Sequence, residues 1–229
     1  MRGVFVTGTD TGVGKTLAAC ALVHALRESG VRALPMKPVA AGAVERSGQW
    51  LNEDTAALMD AAGLGVEWAR RVTPVLLREP MAPHIAARRE GRDISLSPIL
   101  AALDEIRGPR AFLVVEGVGG FMVPLGESLD TVDLARAVGL PVVLVVGLRL
   151  GCLNHALLTA RAIDAAGLAL AGWIANAIDP AMGAADENVE ALRARLAAPL
   201  LGRLPHRDAP DARELARFLD LRPLVESEA

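Results

Sequence analysis

The residues Gly8-Thr9-Asp10-Thr11-Gly12-Val13-Gly14-Lys15-Thr16 decide how the rest of this chain is read. They follow the apolar run Val4-Phe5-Val6 and precede a helical run that the spacing places over residues 15–29, closed by Gly30. Strand, glycine-rich turn and helix in that order is the layout of a phosphate-binding P-loop. Glycines let the backbone curl until several N–H groups face one oxyanion. The following helix adds the positive end of its dipole. In that arrangement Lys15 reaches the β- and γ-phosphates, and the Thr16 hydroxyl ligates Mg²⁺. One irregularity stands out. Thr9 occupies the place six residues before Lys15 where Gly is usual, and Gly8 comes one place early. The plain alternative is a glycine-rich turn that binds nothing; GVGKT between a strand and a helix argues against it.

Composition sets the outer bounds. A chain of 229 residues with 52% hydrophobic residues has the material for one large α/β domain over residues 1–229. Aromatics are 3%, with no Tyr, which removes the stacking platforms that single-stranded nucleic acid needs. The net charge of −3 comes with no basic stripe, so no nucleic-acid partner is expected. Cys20 and Cys152 lie too far apart for a redox or metal spacing and read as small buried hydrophobes. No uncharged apolar run approaches the roughly 20 residues of a membrane span. The N-terminus leads straight into the first strand, so no signal peptide is expected. A cytoplasmic protein is the expectation, and the short C-terminal segment, acidic at its end, reads as a poor membrane anchor.

Apolar runs alternate with helical periods along most of the chain. Strands are expected over residues 3–7, 33–39, 111–116, 141–146, 169–175 and 200–204. Helices are expected over 15–29, 53–62, 98–106, 131–138, 154–166, 186–197 and 212–218. Phe112–Val115 and Val142–Val146 are apolar without alternation, as strands covered on both faces are. The alternation predicts a doubly wound, mainly parallel sheet with helices on both faces. Residues 63–98, rich in Arg and Pro, break the rhythm and read as an irregular excursion, with Arg88 and Arg89 on a solvated face.

Ligands of such sheets lie beyond the carboxyl ends of the strands. Glu116 ends a buried-looking strand, where a carboxylate commonly holds Mg²⁺ or its water, and the glycines after it admit a ligand. Lys37 ends another, beside Pro38; a lysine there has an anion to meet or snorkels to water. Asp54 stands at a helix start and reads as a capping acid. Arg149 and residues 151–154 precede a helix whose N-terminus suits a carboxylate, with simple capping by Asn154 as the alternative. His84 and His155 have no metal-ligand partner at useful spacing and read as structural.

Together these pieces resemble the ATP-dependent dethiobiotin synthetases. The resemblance rests on Thr7-Gly8-Thr9-Asp10-Thr11-x-Val13-Gly14-Lys15-Thr16, early glycine included. Lys37-Pro38-Val39-Ala40-x-Gly42, Glu79-Pro80-x-x-Pro83-His84 and Glu116-Gly117-x-Gly119-Gly120 add to it, as do Leu150-Gly151-Cys152-Leu153-Asn154-His155 and Gly172-Trp173-Ile174-Ala175-Asn176. It runs from residue 1 to about residue 206. It implies a homodimer that joins CO₂ to 7,8-diaminononanoate, phosphorylates the carbamate with ATP and Mg²⁺, and closes a ureido ring. By the same resemblance Lys37 is catalytic, Lys15 holds phosphates and Thr11 donates to the reacting oxygens. Gly12, Val13, Gly14, Thr16 and Leu17 surround the phosphates. Gly117, Val118 and Gly119 complete the nucleotide site, and Asn176, Ala177, Pro205, His206 and Arg207 flank the base. Thr16, Asp54 and Glu116 hold Mg²⁺. Ala41 lies near the substrate, whose carboxylate meets Leu150, Gly151, Cys152 and Asn154 of the neighbouring subunit. Two positions depart from the family pattern: Gly12 stands where some members carry Glu, and Ala41 where Ser or Thr is frequent.

Two other readings share the loop. A partitioning-type switch ATPase carries an extra lysine early in the loop, where this chain has Asp10, and favours basic patches or a membrane tail. The amide-forming ligases of corrin synthesis need a glutaminase domain for which no length is left.

Overall fold

The structure is a computed structural model that describes residues 2–46 and 48–225. The last four residues of the acidic C-terminal segment lie outside the described residues. In chain order the strands are β1 (Gly3–Gly8), β2 (Arg32–Met36), β3 (Val39–Ala41), β4 (Val44–Arg46), β5 (Gln49–Leu51), β6 (Val75–Leu77), β7 (Ala111–Glu116), β8 (Val142–Gly147), β9 (Leu170–Asn176) and β10 (Leu200–Leu204). The helices are α1 (Lys15–Glu28), α2 (Glu53–Ala62), α3 (Ala69–Val72), α4 (Pro83–Arg89), α5 (Leu96–Ile106), α6 (Thr131–Val138), α7 (Cys152–Ala165), α8 (Ala185–Arg193), α9 (Ala212–Ala216) and α10 (Arg222–Val225).

Six strands form one parallel sheet in the order β10-β9-β8-β1-β7-β2. Every residue of β1, β7 and β8 is buried, as their unbroken apolar runs require. Alternate side chains serve opposite layers. Val143 and Val145 pack with Val4, Val6 and the inner face of α1. Val142 packs with Phe5 and α5–α6, while Leu144 and Val146 pack with α7, α8 and Trp173. First in sequence yet central in space, β1 is flanked by strands that come more than 100 residues later. That is the reversal of strand order at which ligands sit in doubly wound sheets.

The expected strand over residues 33–39 is two elements. β2 belongs to the main sheet, and β3 turns away to pair with β6, Val39 opposite Val75. Pro38 has no N–H to continue a ladder, and the Lys37 N–H leaves it to donate to Val72 O at 2.8 Å. Residues 63–98 are also more regular than their composition suggests. They hold a 3₁₀ turn (Val66–Trp68), α3, β6, α4 and the start of α5. Pro83 is the first residue of α4 rather than a breaker, a position where its missing N–H costs nothing. The arginines there lie on the surface, with Arg89 paired to Glu79 and Arg71 to Glu105. The β4–β5 hairpin was not expected; Gly48, at φ +78°, provides its turn.

Candidate active site

Strand register builds the site. Met36 of β2 pairs with Val115 of β7, and Val6 of β1 with Glu116. Lys37, one residue past Met36, therefore stands level with Glu116, and Gly8 opens the phosphate loop beside them. Helix α2 brings the third group. Its N-cap is Asn52, whose Oδ1 accepts the Asp54 N–H at 2.9 Å and the Thr55 N–H at 3.4 Å. Because Asn52 caps the helix, the Asp54 carboxylate is free to face the cleft.

The Lys37 ammonium lies 2.6 Å from Glu116 Oε1 and 3.0 Å from Asp54 Oδ2, and donates to Gly117 O at 3.1 Å. The Thr16 hydroxyl donates to the same Glu116 Oε1 at 2.8 Å. Glu116 is fully buried and Lys37 is 3% exposed. Burial alone would lower the Lys37 pKa, but the charges of Glu116 and Asp54 outweigh it and hold it above its ordinary value. Burial likewise works against the Asp54 carboxylate, and Lys37 again prevails, so its pKa is lowered.

Lys15 has the opposite balance. Its burial, and then the charge of Lys37, bring its pKa down to about 8. Its ammonium donates to Asp10 O at 2.8 Å. The Asp10 carboxylate accepts the Thr11 N–H at 2.7 Å and pairs with Arg149. That ion pair ties the phosphate loop to the turn after β8. Gly12 and Gly14 hold φ +75° and +82°, backbone that only glycine adopts freely. A Cβ on Gly14 would come within 2.1 Å of Asn176 Nδ2, which donates to Val13 O at 2.9 Å.

One cleft of ≈ 660 Å³ is lined by Thr11, Gly12, Gly14, Lys15, Thr16, Lys37, Ala41, Asp54, Glu116, Val118 and Gly119. Its opposite wall is Pro80 to Pro83 with Val123. Of these, Met81 and Val123 gave no signal in the sequence. The other expected residues lie elsewhere. Val13 is buried beneath the loop, and Leu17 and Gly117 are outside the lining. Asn176 is 4% exposed and braces Val13, and Ala177 donates its N–H to Leu204 O. Pro205, His206 and Arg207 follow β10 at the same end of the sheet. Leu150 is almost wholly exposed and Gly151, at φ +93°, is the N-cap of α7. The alternative of capping by Asn154 is thus corrected: the helix begins two residues earlier than expected, and Asn154 lies exposed in its first turn. The Cys152 N–H donates to Arg149 O and its side chain is buried. His84 is structural, with Nδ1 3.2 Å from Pro124 O.

A family described as an AAA domain matches residues 2–213. The chain is 56% identical over 222 residues to an ATP-dependent dethiobiotin synthetase of Aromatoleum aromaticum, covering 96% of this chain and 97% of that one. It is 54% identical over 221 residues to one from Ralstonia nicotianae, with 96% of each covered. The chain belongs to the ATP-dependent dethiobiotin synthetase family. In fold it is similar to the septum site-determining protein MinD from Pyrococcus horikoshii, solved with Mg-ADP. That match has a TM-score of 0.53 and 17% identity, over 99% of this chain and 90% of that one. A ParA family ATPase from Chlorobium tepidum gives the same TM-score at 15% identity, over 100% and 95%.

Only two of the 24 basic residues are lysines, and both are in the cleft. The other 22 basic residues are arginines. The donor set also suits a divalent cation. Thr16, Asp54 and Glu116 offer hard oxygen donors, and Glu116 Oε2 is buried with no hydrogen-bond partner. Among the described residues no three His, Cys, Asp or Glu side chains form a metal cage of their own. A Mg²⁺ here would take its remaining ligands from phosphate oxygens and water, as it does at nucleotide sites.

Proposed function

We propose that this chain carries out the reaction of its family: ATP-dependent conversion of 7,8-diaminononanoate and CO₂ to dethiobiotin, a ligase step of biotin synthesis. The observation that supports this most directly is the convergence of Lys15, Lys37 and Thr16 on one cleft with Asp54 and Glu116. One substrate amine adds to CO₂ as a carbamate. A carbamate is a poor electrophile until its oxygen becomes a leaving group, so it attacks the γ-phosphorus of ATP and ADP departs. The second amine then attacks the carbamate carbon, phosphate leaves with the C–O electron pair, and the ring closes. Negative charge grows on phosphate and carbamate oxygens throughout, and preorganised cations in a dry cleft stabilise it best.

Lys15 meets the β- and γ-phosphates, Gly12, Val13, Gly14, Thr16 and Leu17 supply loop and helix-start contacts, and Thr11 donates to the reacting oxygens. Lys37 stabilises the charge on the group being transferred. Thr16, Asp54 and Glu116 are the residues to hold Mg²⁺, which when bound neutralises charge between the phosphates. Gly117, Val118 and Gly119 close the site, and Asn176, Ala177, Pro205, His206 and Arg207 flank the base. Ala41 has no hydroxyl to offer, so any polar contact there falls to backbone or water. The substrate carboxylate meets residues 150–154 of a second copy, which makes the working unit a homodimer. Leu150, 96% exposed at that turn, is a side chain such a partner would cover. No helix among the described residues is long and apolar enough to cross a membrane.

Lys37→Ala tests the assignment. Equilibrium binding of metal-free ATP stays within a few-fold of wild type while dethiobiotin formation falls by about 10²–10³-fold, a loss typical of transition-state charge contacts. Retained ring closure would contradict it.

A further inference from the structure

The oxygens assigned to Mg²⁺ are already organised around another cation. Lys37 Nζ lies 2.6 Å from Glu116 Oε1, 3.0 Å from Asp54 Oδ2 and 3.1 Å from Gly117 O, so its three protons face three oxygens. Thr16 Oγ1, the third assigned ligand, donates to that same Glu116 Oε1. Two cations cannot both hold these oxygens at contact distance without strong mutual repulsion in a buried place.

The charge balance of the cleft points the same way. Lys15 and Lys37 carry two positive charges and Asp54 and Glu116 two negative ones. A Mg²⁺ added alone would leave two uncompensated charges beside Lys15, Lys37 and Glu116, which are almost fully buried, with Asp54 alone part-exposed. A Mg²⁺ that arrives with the phosphates of a nucleotide brings its own compensation. Lys37 can give way without a change of fold. Its backbone N–H is fixed on Val72 O, while its four-carbon stem lines the same cleft as Lys15 and Thr16.

We propose that Lys37 is the resident counter-cation of the Asp54–Glu116 pair, and that Mg²⁺ entering with nucleotide displaces its ammonium from those carboxylates toward the reacting oxygens. Metal loading and the release of the catalytic lysine are then one event. This rests on the reading of the cleft as a Mg²⁺–nucleotide site and adds an order to it: Lys37 is held away from substrate until the nucleotide is in place. The competing arrangement leaves Lys37 on Glu116 Oε1 while the metal takes the unpartnered Oε2.

Two experiments separate these arrangements. The first is calorimetric titration of Mg²⁺ into the full chain without nucleotide, comparing wild type with K37M. Removing the competing cation tightens Mg²⁺ binding by about tenfold or more, within the usual range of coupling between sites. Equal affinity in a folded K37M protein overturns the proposal. The second uses the unaltered chain and needs no variant to fold. With ¹⁵N-lysine labelling the two lysines give two ammonium signals, assigned through K15R. ADP with EDTA shifts the Lys15 signal alone, and Mg-ADP shifts that of Lys37 as well. A Lys37 signal that ignores Mg-ADP, or that moves equally without the metal, overturns the exchange. If neither signal responds to ADP, the nucleotide reading itself fails, and the K37M comparison still decides whether Lys37 competes with Mg²⁺.

Discussion

Lys15 and Lys37 share one cleft, yet their surroundings push their protons in opposite directions. Lys15 is buried beside Lys37 and has a pKa of about 8; Lys37, clasped by two carboxylates, is held above the ordinary lysine value. Phosphate oxygens at Lys15 favour its ammonium and raise its pKa in a nucleotide complex. Between the free and bound values, binding takes up a proton, so affinity for ADP weakens as pH rises above about 8. Calorimetry of metal-free ADP binding near pH 8.5, in buffers of different ionisation heat, should register net proton uptake. No uptake would contradict the assigned role. Glu116 carries a second prediction. Glu116→Ala leaves the buried Lys37 with Asp54 as its one remaining carboxylate and costs about 3 kcal/mol of stability, read from the denaturant midpoint. Gly14→Ala combines a strained φ with a Cβ 2.1 Å from Asn176 Nδ2. It should abolish nucleotide binding, measured at equilibrium, because the Asn176 brace on Val13 is forced apart.

Helix α2 matters more for what its cap does than for its length. Asn52 satisfies two N–H groups at the helix start, and its Nδ2 donates to Ala41 O at 2.9 Å. One side chain thus fixes the end of β3 and the helix that presents Asp54. Asn52→Ala should cost about 1–2 kcal/mol in a denaturant melt, the upper range for a lost N-cap, and weaken Mg-ADP binding more than metal-free ADP binding. Asp54 also marks where the sequence stops speaking. An acid in the first turn of a helix is ordinary, and nothing local separates a capping acid from a ligand; only the family resemblance singled it out. Glu116 was legible because it ends a strand whose burial was plain from an unbroken apolar run, whereas Lys37 read equally as a snorkelling lysine until the family resemblance assigned it. The three-residue strands β3 to β6 were not legible, since so few residues show no period. α4 was not legible within the Pro-rich stretch, since the ring of Pro83 that starts it is one that elsewhere stops a helix. The start of α7 was misplaced because Asn154 is the stronger capping residue, while Gly151 does the work through a left-handed backbone that composition cannot show.

The six-stranded sheet explains why these contacts hold together. β1, β7 and β8 are covered on both faces, and the loops that follow β1, β2 and β7 open on one edge, so distant segments meet there by register alone. The layer beneath the phosphate loop is closed to solvent. Cys20 lies within it, its thiol pushed up to about 12 by burial and then by the nearby carboxylates. Iodoacetamide near pH 8 should therefore leave Cys20 unmodified in the native chain and alkylate it on unfolding, as peptide mass analysis would record. Ready native labelling would mean that this layer opens. Turnover tests the site most directly. We would measure ADP formation from ATP and Mg²⁺, with and without 7,8-diaminononanoate and bicarbonate, and weigh the product by mass spectrometry. ADP should form only when both co-substrates are present, with one dethiobiotin formed for each ADP. ADP released regardless of diaminononanoate, or no turnover at all, would contradict it.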